Sequence, residues 1–293
     1  MTVTAPSSTA LTAAAARAAH LIVDRAPFIF ADTLAARLLG EQADELLGYH
    51  RSRGGHPVLA GARAQVTYRS RYTEDRLAAA VRRGVDQYVI LGAGLDSFAY
   101  RSPLAARVRV FEVDRPATQD WKRAQLSTQD IPVPAGVAYV PVDLAAGTLA
   151  DRLAGAGFDR SRPALVSWLG VTMYLTRAAI GETLCVLGGL APGTEVVLDH
   201  MLPEQLRDPA GQSYVEQVAP VAAGRGEPWL TFLGPDQMSA LLAEHGLEPV
   251  AQVTQRDALD PALWQRTDVL RPARLSQLAR ARVPVTSPGR RCP

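Results

Sequence analysis

Five short apolar runs recur along the middle of the chain, at residues 88–91, 108–112, 137–142, 164–169 and 195–200. Each is nearly continuous, and helical or polar segments fill the intervals. Near-continuous apolar strands alternating with helices predict a parallel sheet covered on both faces. Gly84, Gly136, Gly157 and Gly193 stand before their strands as breakers. Residues 248–254 read as a sixth strand and 280–285 as a last, antiparallel one. Upstream, residues 9–84 read as helices joined by loops. Residues 11–22 are Ala-rich, Asp32 can cap a helix running to about Leu47, and 66–81 carry apolar residues at helical spacing. Residues 50–61 read as a loop. The connection 202–246 is long, and connections of that length are usually functional. The pattern divides the chain into a helical N-terminal cap (1–84), an α/β domain (85–285) with a substrate-cap insertion (202–246), and a flexible tail (286–293). Disorder is expected for residues 1–8.

The first run ends in Gly92-Ala93-Gly94 and the second in Glu112-Val113-Asp114. Strand, tight glycine turn, helix, strand and acid is the layout of a nucleotide-binding β-α-β unit. The acid falls about 20 residues past the first glycine, where a carboxylate accepts hydrogen bonds from a ribose. Gly92 and Gly94 permit a sharp turn and a close ligand approach. A dinucleotide site wants a third glycine three residues later. Here that position is Ser97, preceded by Asp96, whose carboxylate would repel a pyrophosphate. The pattern disfavours NAD and favours a nucleoside without phosphates. S-adenosylmethionine (SAM) fits that description. The competing reading is a glycine turn in a plain α/β protein that binds nothing.

Five motifs carry a family resemblance: Y-R-S-R-Y at 68–72, V-I-L-G-A-G-L-D-S at 89–97, F-E-V-D-R-P at 111–116, P-V-D-L at 141–144 and G-V-T-M-Y-L at 170–175. In this order and spacing they resemble the leucine carboxyl methyltransferase family and its bacterial O-methyltransferase relatives in secondary metabolism. The resemblance spans roughly residues 63–200. It implies the class I methyltransferase fold, a doubly wound, mostly parallel seven-stranded Rossmann-like sheet, and SAM as cofactor with S-adenosylhomocysteine as product. It also implies site roles. Arg69, or alternatively Arg71, would pair with the methionine carboxylate of SAM. Gly92 and Gly94 would lie against the methionine and ribose. Asp114 would hold the ribose hydroxyls with Glu112 nearby, and Asp143 and Leu144 would contact the adenine. One position departs: leucine carboxyl methyltransferases carry Glu where this chain has Leu169, which puts a leucine-carboxyl substrate in doubt. Each role has a plainer rival. Arg69 can be a solvated helix residue, Asp143 can cap the following helix, and Glu112 can be structural, with Asp114 nearer the ligand edge.

Composition narrows the partners. The formal net charge of +2 over 293 residues is too near neutral to suggest nucleic acid. The basic residues are almost all Arg, and Lys122 is the only lysine. No apolar stretch reaches the length of a membrane span, and the N-terminus lacks the order of a signal peptide. These features point to a soluble, cytoplasmic protein. The two cysteines and five histidines show no metal-ligand spacing. Methyl transfer to oxygen needs an aligned acceptor and exclusion of water. A carboxylate acceptor needs only positioning donors, whereas a hydroxyl needs a base. His200, at the end of the fifth run, is the candidate base. Tyr174 is the other polar side chain in reach. Their rivals are a strand-end histidine bonded to backbone and an aromatic packed under the cap. The expected function is O-methylation of a hydroxyl or carboxyl oxygen on a small, natural-product-like acceptor. A carboxyl methyltransferase acting on a peptide or protein C-terminus and a non-catalytic SAM-binding module are the alternatives.

Overall fold

The computed structural model describes residues 7–145 and 147–285. Helices α1 (Ser8–Val23), α2 (Ala35–Leu38), α3 (Ala43–Arg53) and α4 (Pro57–Arg82) precede the sheet. Then come β1 (Gln87–Leu91), α5 (Phe98–Arg101), β2 (Arg109–Asp114), α6 (Pro116–Thr128), β3 (Val137–Pro141) and α7 (Leu149–Gly155). They are followed by β4 (Leu165–Trp168), α8 (Arg177–Gly188), β5 (Glu195–Met201), α9 (Pro209–Gly224), α10 (Pro235–Glu244), β6 (Glu248–Thr254) and β7 (Ser276–Arg282). The sheet order is β3-β2-β1-β4-β5-β7-β6. Strands β1 to β5 run parallel, and β7 is antiparallel to both β5 and β6. This is the expected mostly parallel, seven-stranded Rossmann-like sheet of class I methyltransferases.

Strand alternation sorts the core into two faces. Val89, Leu91, Phe111, Val113, Val196 and Leu198 pack with side chains of α7, α8 and α10. Tyr88, Ile90, Val110 and Leu165 pack beneath Leu77, Ala80 and Val81 of α4. Val197 and Leu278 extend the second face toward Ala64 and Tyr68 of α4. Near the end of β5, Asp199 and His200 therefore point to opposite sides of the sheet. Helix α10 covers the first face through Met238, Leu241 and Leu242. Of the long 202–246 connection, α9 and the segment after it approach the ligand edge.

Local chemistry corrects several boundaries. The chain at 50–61 is not a loop. Helix α3 continues to Arg53, and α4 starts at Pro57. The His56 side chain accepts from Val58 N, and proline suits the first helical position. Asp32 Oδ1 does accept from the amides of Leu34 and Ala35. The helix it starts breaks at Gly40, whose φ is +56°, so α2 and α3 are separate. Strand β7 begins at Ser276, ahead of the apolar signal, because Ser276 and Gln277 pair across from Met201 and His200. Of the eight residues expected to be disordered, Ser7 caps α1 and Ser8 opens it; the rest, and the tail 286–293, lie outside the described residues.

Candidate active site

Strand order reverses between β1 and β4, the place where open α/β sheets bind ligands. A cavity of about 570 Å³ opens there at the carboxyl ends of the strands. Its walls come from the glycine turn, the ends of β2, β3 and β4, the first turns of α1, and side chains of α3, α4 and α9. Gly92 and Gly94 have φ of +67° and +46°, a region open to glycine at no steric cost. The turn is packed as well as bent. A Cβ on Gly92 would lie 2.2 Å from Val171 Cγ2, and one on Gly94 would lie 3.2 Å from Ala10 Cβ.

Asp114 ends β2 on the cavity rim. Its two oxygens accept from Gly94 N at 2.6 Å and Arg115 N at 2.7 Å. Burial raises its carboxyl pKa, and the two amide hydrogen bonds work against that rise. The same bonds fix the carboxylate relative to the glycine turn. Asp143 and Leu144 line the cavity after β3. Asp143 Oδ1 also accepts from Ala145 N at 3.0 Å, a local turn; it does not cap the helix that follows, because α7 starts only at Leu149, after Thr148. Ser97, at the place of the missing third glycine, donates to Asp32 Oδ1 at 2.6 Å. Asp96 accepts from Phe98 N at 2.8 Å. Neither side chain is arranged to cradle a pyrophosphate.

Arg69 reaches the cavity from α4, and its Nη1 donates to Asp199 Oδ2 at 2.9 Å. Asp199 is fully buried, and its other oxygen accepts from Gly170 N at 2.6 Å. One carboxylate thus joins α4, the turn after β4 and the end of β5. Arg71 points elsewhere, forming a half-exposed ion pair with Asp75 at 2.9 Å. Asp199 is not among the candidates read from sequence. Its signal is present, however: a lone acid in an apolar strand must find a cation.

Two expected site residues lie outside the cavity. Glu112 is buried and pairs with Lys122 Nζ at 2.8 Å, so the chain's only lysine is spent in the core. The plainer, structural reading of Glu112 describes its place. His200 faces α10. Its Nδ1 donates to Leu233 O at 2.8 Å, and Nε2 lies 3.1 Å from Gln252 Oε1. Burial lowers its pKa, but no ring nitrogen reaches the cavity. The error is one residue of strand phase, because Asp199 takes the ligand face. Tyr174 does line the cavity beside Trp229 and Tyr214. Burial raises the Tyr174 phenol, and it pushes that of Tyr214 up to about 12. Both are neutral donors at pH 7.

The histidine that lines the cavity is His50, on α3. Arg63 holds Asp24 through Nε and Nη2 at 2.8 and 2.9 Å, and its Nη1 lies 3.2 Å from His50 Nδ1. Arginine only donates, so Nδ1 accepts and the proton sits on Nε2. Burial, and then the Arg63 charge, lower the His50 pKa from 6.5 to about 4. Between those values the unfolded chain holds a proton that the folded chain lacks, so stability falls as pH drops from 6.5 toward 4. At pH 5 the loss from this group is about 2 kcal/mol. His50→Gln is expected to narrow the gap between unfolding midpoints at pH 7.5 and pH 5; an unchanged gap would remove His50 as its source.

The sequence matches the leucine carboxyl methyltransferase family over residues 10–187. The chain belongs to that family. YktD of Bacillus subtilis (strain 168), named "Putative S-adenosyl-L-methionine-dependent methyltransferase", is 32% identical over 204 residues, which are 69% of this chain and 67% of YktD. A protein of the same general name from Mycolicibacterium vanbaalenii is 37% identical over 152 residues, 49% of each. The alignments therefore span half to two thirds of these relatives' lengths. A DUF574 family protein from Streptomyces avermitilis superimposes with a TM-score of 0.59 at 19% identity, over 92% of this chain and 97% of that one, which shows a shared fold. The protein is a SAM-dependent methyltransferase. The turn at Gly92–Gly94 and the acid at the end of β2 fit that nucleoside. Among the described residues no group of three or more His, Cys, Asp or Glu is placed to hold a metal ion, and no helix is long and apolar enough to cross a membrane.

Proposed function

We propose that this methyltransferase esterifies a carboxylate oxygen of a small, largely apolar acid. SAM supplies an already activated methyl group. Gly92, Gly94, Asp114, Asp143 and Leu144 are assigned to the nucleoside, and Arg69 to the methionine carboxylate. The remaining cavity, walled by α3, α4 and α9, is left for the acceptor. The observation that carries the reading is the chemistry of this remainder. Its polar tips include donors: the neutral phenols of Tyr174 and Tyr214, the Nε2–H of His50, and the buried Trp229 Nε1–H beside the Tyr174 phenol. His200, the base that a hydroxyl acceptor calls for, is in the core. Donors position an oxygen that is already ionised, and a carboxylate is ionised at pH 7 without help. The apolar wall of Met173, Met201, Val218 and Leu275 supports an apolar body on the acceptor. Enclosure beneath α1 and α9 favours a small molecule over a protein terminus.

The test is transfer from methyl-labelled SAM to a panel of aryl and alkyl carboxylic acids with matched phenols and alcohols. A carboxylate acceptor gives a product whose label is released as methanol by mild base. Label that survives base would mark an ether and overturn the carboxylate reading in favour of a hydroxyl acceptor.

A further inference from the structure

The cavity is closed over the glycine turn by contacts between segments far apart in sequence. The Glu227 carboxylate accepts from the hydroxyls of Ser7 and Ser8 and from the Thr9 amide, the last two at 3.0 and 3.2 Å. Arg115, next to Asp114, places Nη2 3.7 Å from the same carboxylate. All five residues line the cavity. The adjoining residue of α1, Ala10, is the one packed against Gly94. Helix α1 has no acidic residue in its first turn, although a helix N-terminus has unpaired amides and favours a negative charge. Glu227 supplies that charge from about 220 residues away.

We propose that Glu227 is a cofactor-positioning residue, latching the first turn of α1 over the cofactor end of the cavity. The latch must open for SAM to enter and for S-adenosylhomocysteine to leave. This rests on the reading of the Gly92–Asp114 edge as the SAM site. The two sides of the latch differ in how firmly they are held. Glu227 N donates to Ala222 O at 2.9 Å at the end of α9. Just downstream, Leu230 N and Thr231 N both donate to Met173 O, at 2.6 and 3.2 Å. The Glu227 side is therefore tied into the fold. On the other side, apolar packing of α1 into its neighbours begins at Ala10 and Leu11, so the polar turn before them is held by Glu227 and by the contact of Thr9 with Tyr174. The moving part is the first turn of α1, and the anchor is Glu227.

The experiment is the dissociation rate of S-adenosylhomocysteine, measured by stopped-flow displacement for the full chain, Glu227→Gln, Ser8→Ala and the double variant. Glu227→Gln is expected to release the ligand about tenfold faster, as when charge-assisted hydrogen bonds are weakened. Ser8→Ala should speed release less, and the double variant should be no faster than Glu227→Gln, since both break one latch. The ligand-free unfolding midpoint should change little, which a merely structural role would not allow. Unchanged release from Glu227→Gln, or independent additive effects, would overturn the latch while leaving the SAM site standing. Failure of the parent chain to bind the ligand would overturn the SAM-site assignment itself, and the latch with it. If Glu227→Gln does not fold, the variant carrying both Ser7→Ala and Ser8→Ala opens the same latch with the carboxylate in place, and faster or unchanged release from it decides in the same way.

Discussion

Asp199→Ala is expected to destabilise the protein by about 3–5 kcal/mol, the usual cost of removing one partner of a buried ion pair. Asp199 has no solvent exposure, and the Arg69 side chain retains only 12%. Removing the carboxylate leaves the guanidinium without its partner and the Gly170 amide without its 2.6 Å acceptor. The cost comes mainly from the stranded cation, so a second change should recover much of it. Arg69→Met in the Asp199→Ala background is expected to be more stable than Asp199→Ala alone. Asp199→Asn keeps an acceptor for Gly170 and should lose less than Asp199→Ala. Denaturant unfolding of the four chains measures this directly. A loss below about 1 kcal/mol for Asp199→Ala would mean that Arg69 finds another partner or water, against the scale expected for buried pairs. Binding of S-adenosylhomocysteine should weaken in the same variant, because Asp199 sets both the direction of Arg69 and the turn after β4.

Much of this architecture is legible in the sequence, for identifiable reasons. A parallel sheet buried on both faces writes itself as continuous apolar runs, so β1 to β5 can be located from the order of apolar residues along the chain. The glycine turn and the acid ending β2 are local signals whose spacing carries chemistry, and Gly92, Gly94 and Asp114 do meet at one edge. Polar residues fare worse where a single step of strand phase decides their side. Asp199 and His200 are adjacent, yet one holds Arg69 and the other is hydrogen-bonded between Leu233 and Gln252. Glu112 shares a face with Asp114 but lies one pleat deeper, where Lys122 neutralises it. The remaining misses are contacts between distant segments. Glu227 meets Ser7, and Arg63 ties His50 to Asp24. No local period encodes such pairs. The tautomer of His50 follows from one arginine that only the tertiary structure brings to it.

Gly92→Ala is the second change with a large expected effect, and its two causes can be separated. The φ of +67° is left-handed, which costs an L-residue about 1–2 kcal/mol. The new methyl would also stand 2.2 Å from Val171 Cγ2. No side chain tolerates that distance, and overpacking of this kind costs about 1–3 kcal/mol. Together the expected loss of stability is about 2–5 kcal/mol by the same two scales, with weaker binding of S-adenosylhomocysteine if the turn assigned to it shifts. Val171→Ala removes the atom that clashes but leaves the backbone as it is. The variant carrying both changes should therefore recover the steric part of the loss and keep the left-handed part. Full recovery would mean that the turn relaxes to an ordinary conformation. No recovery at all would mean that the backbone, and not Val171, makes glycine obligatory here. In either outcome the ligand affinity of the double variant shows how far the exact path of this turn, apart from its packing, determines the cofactor site.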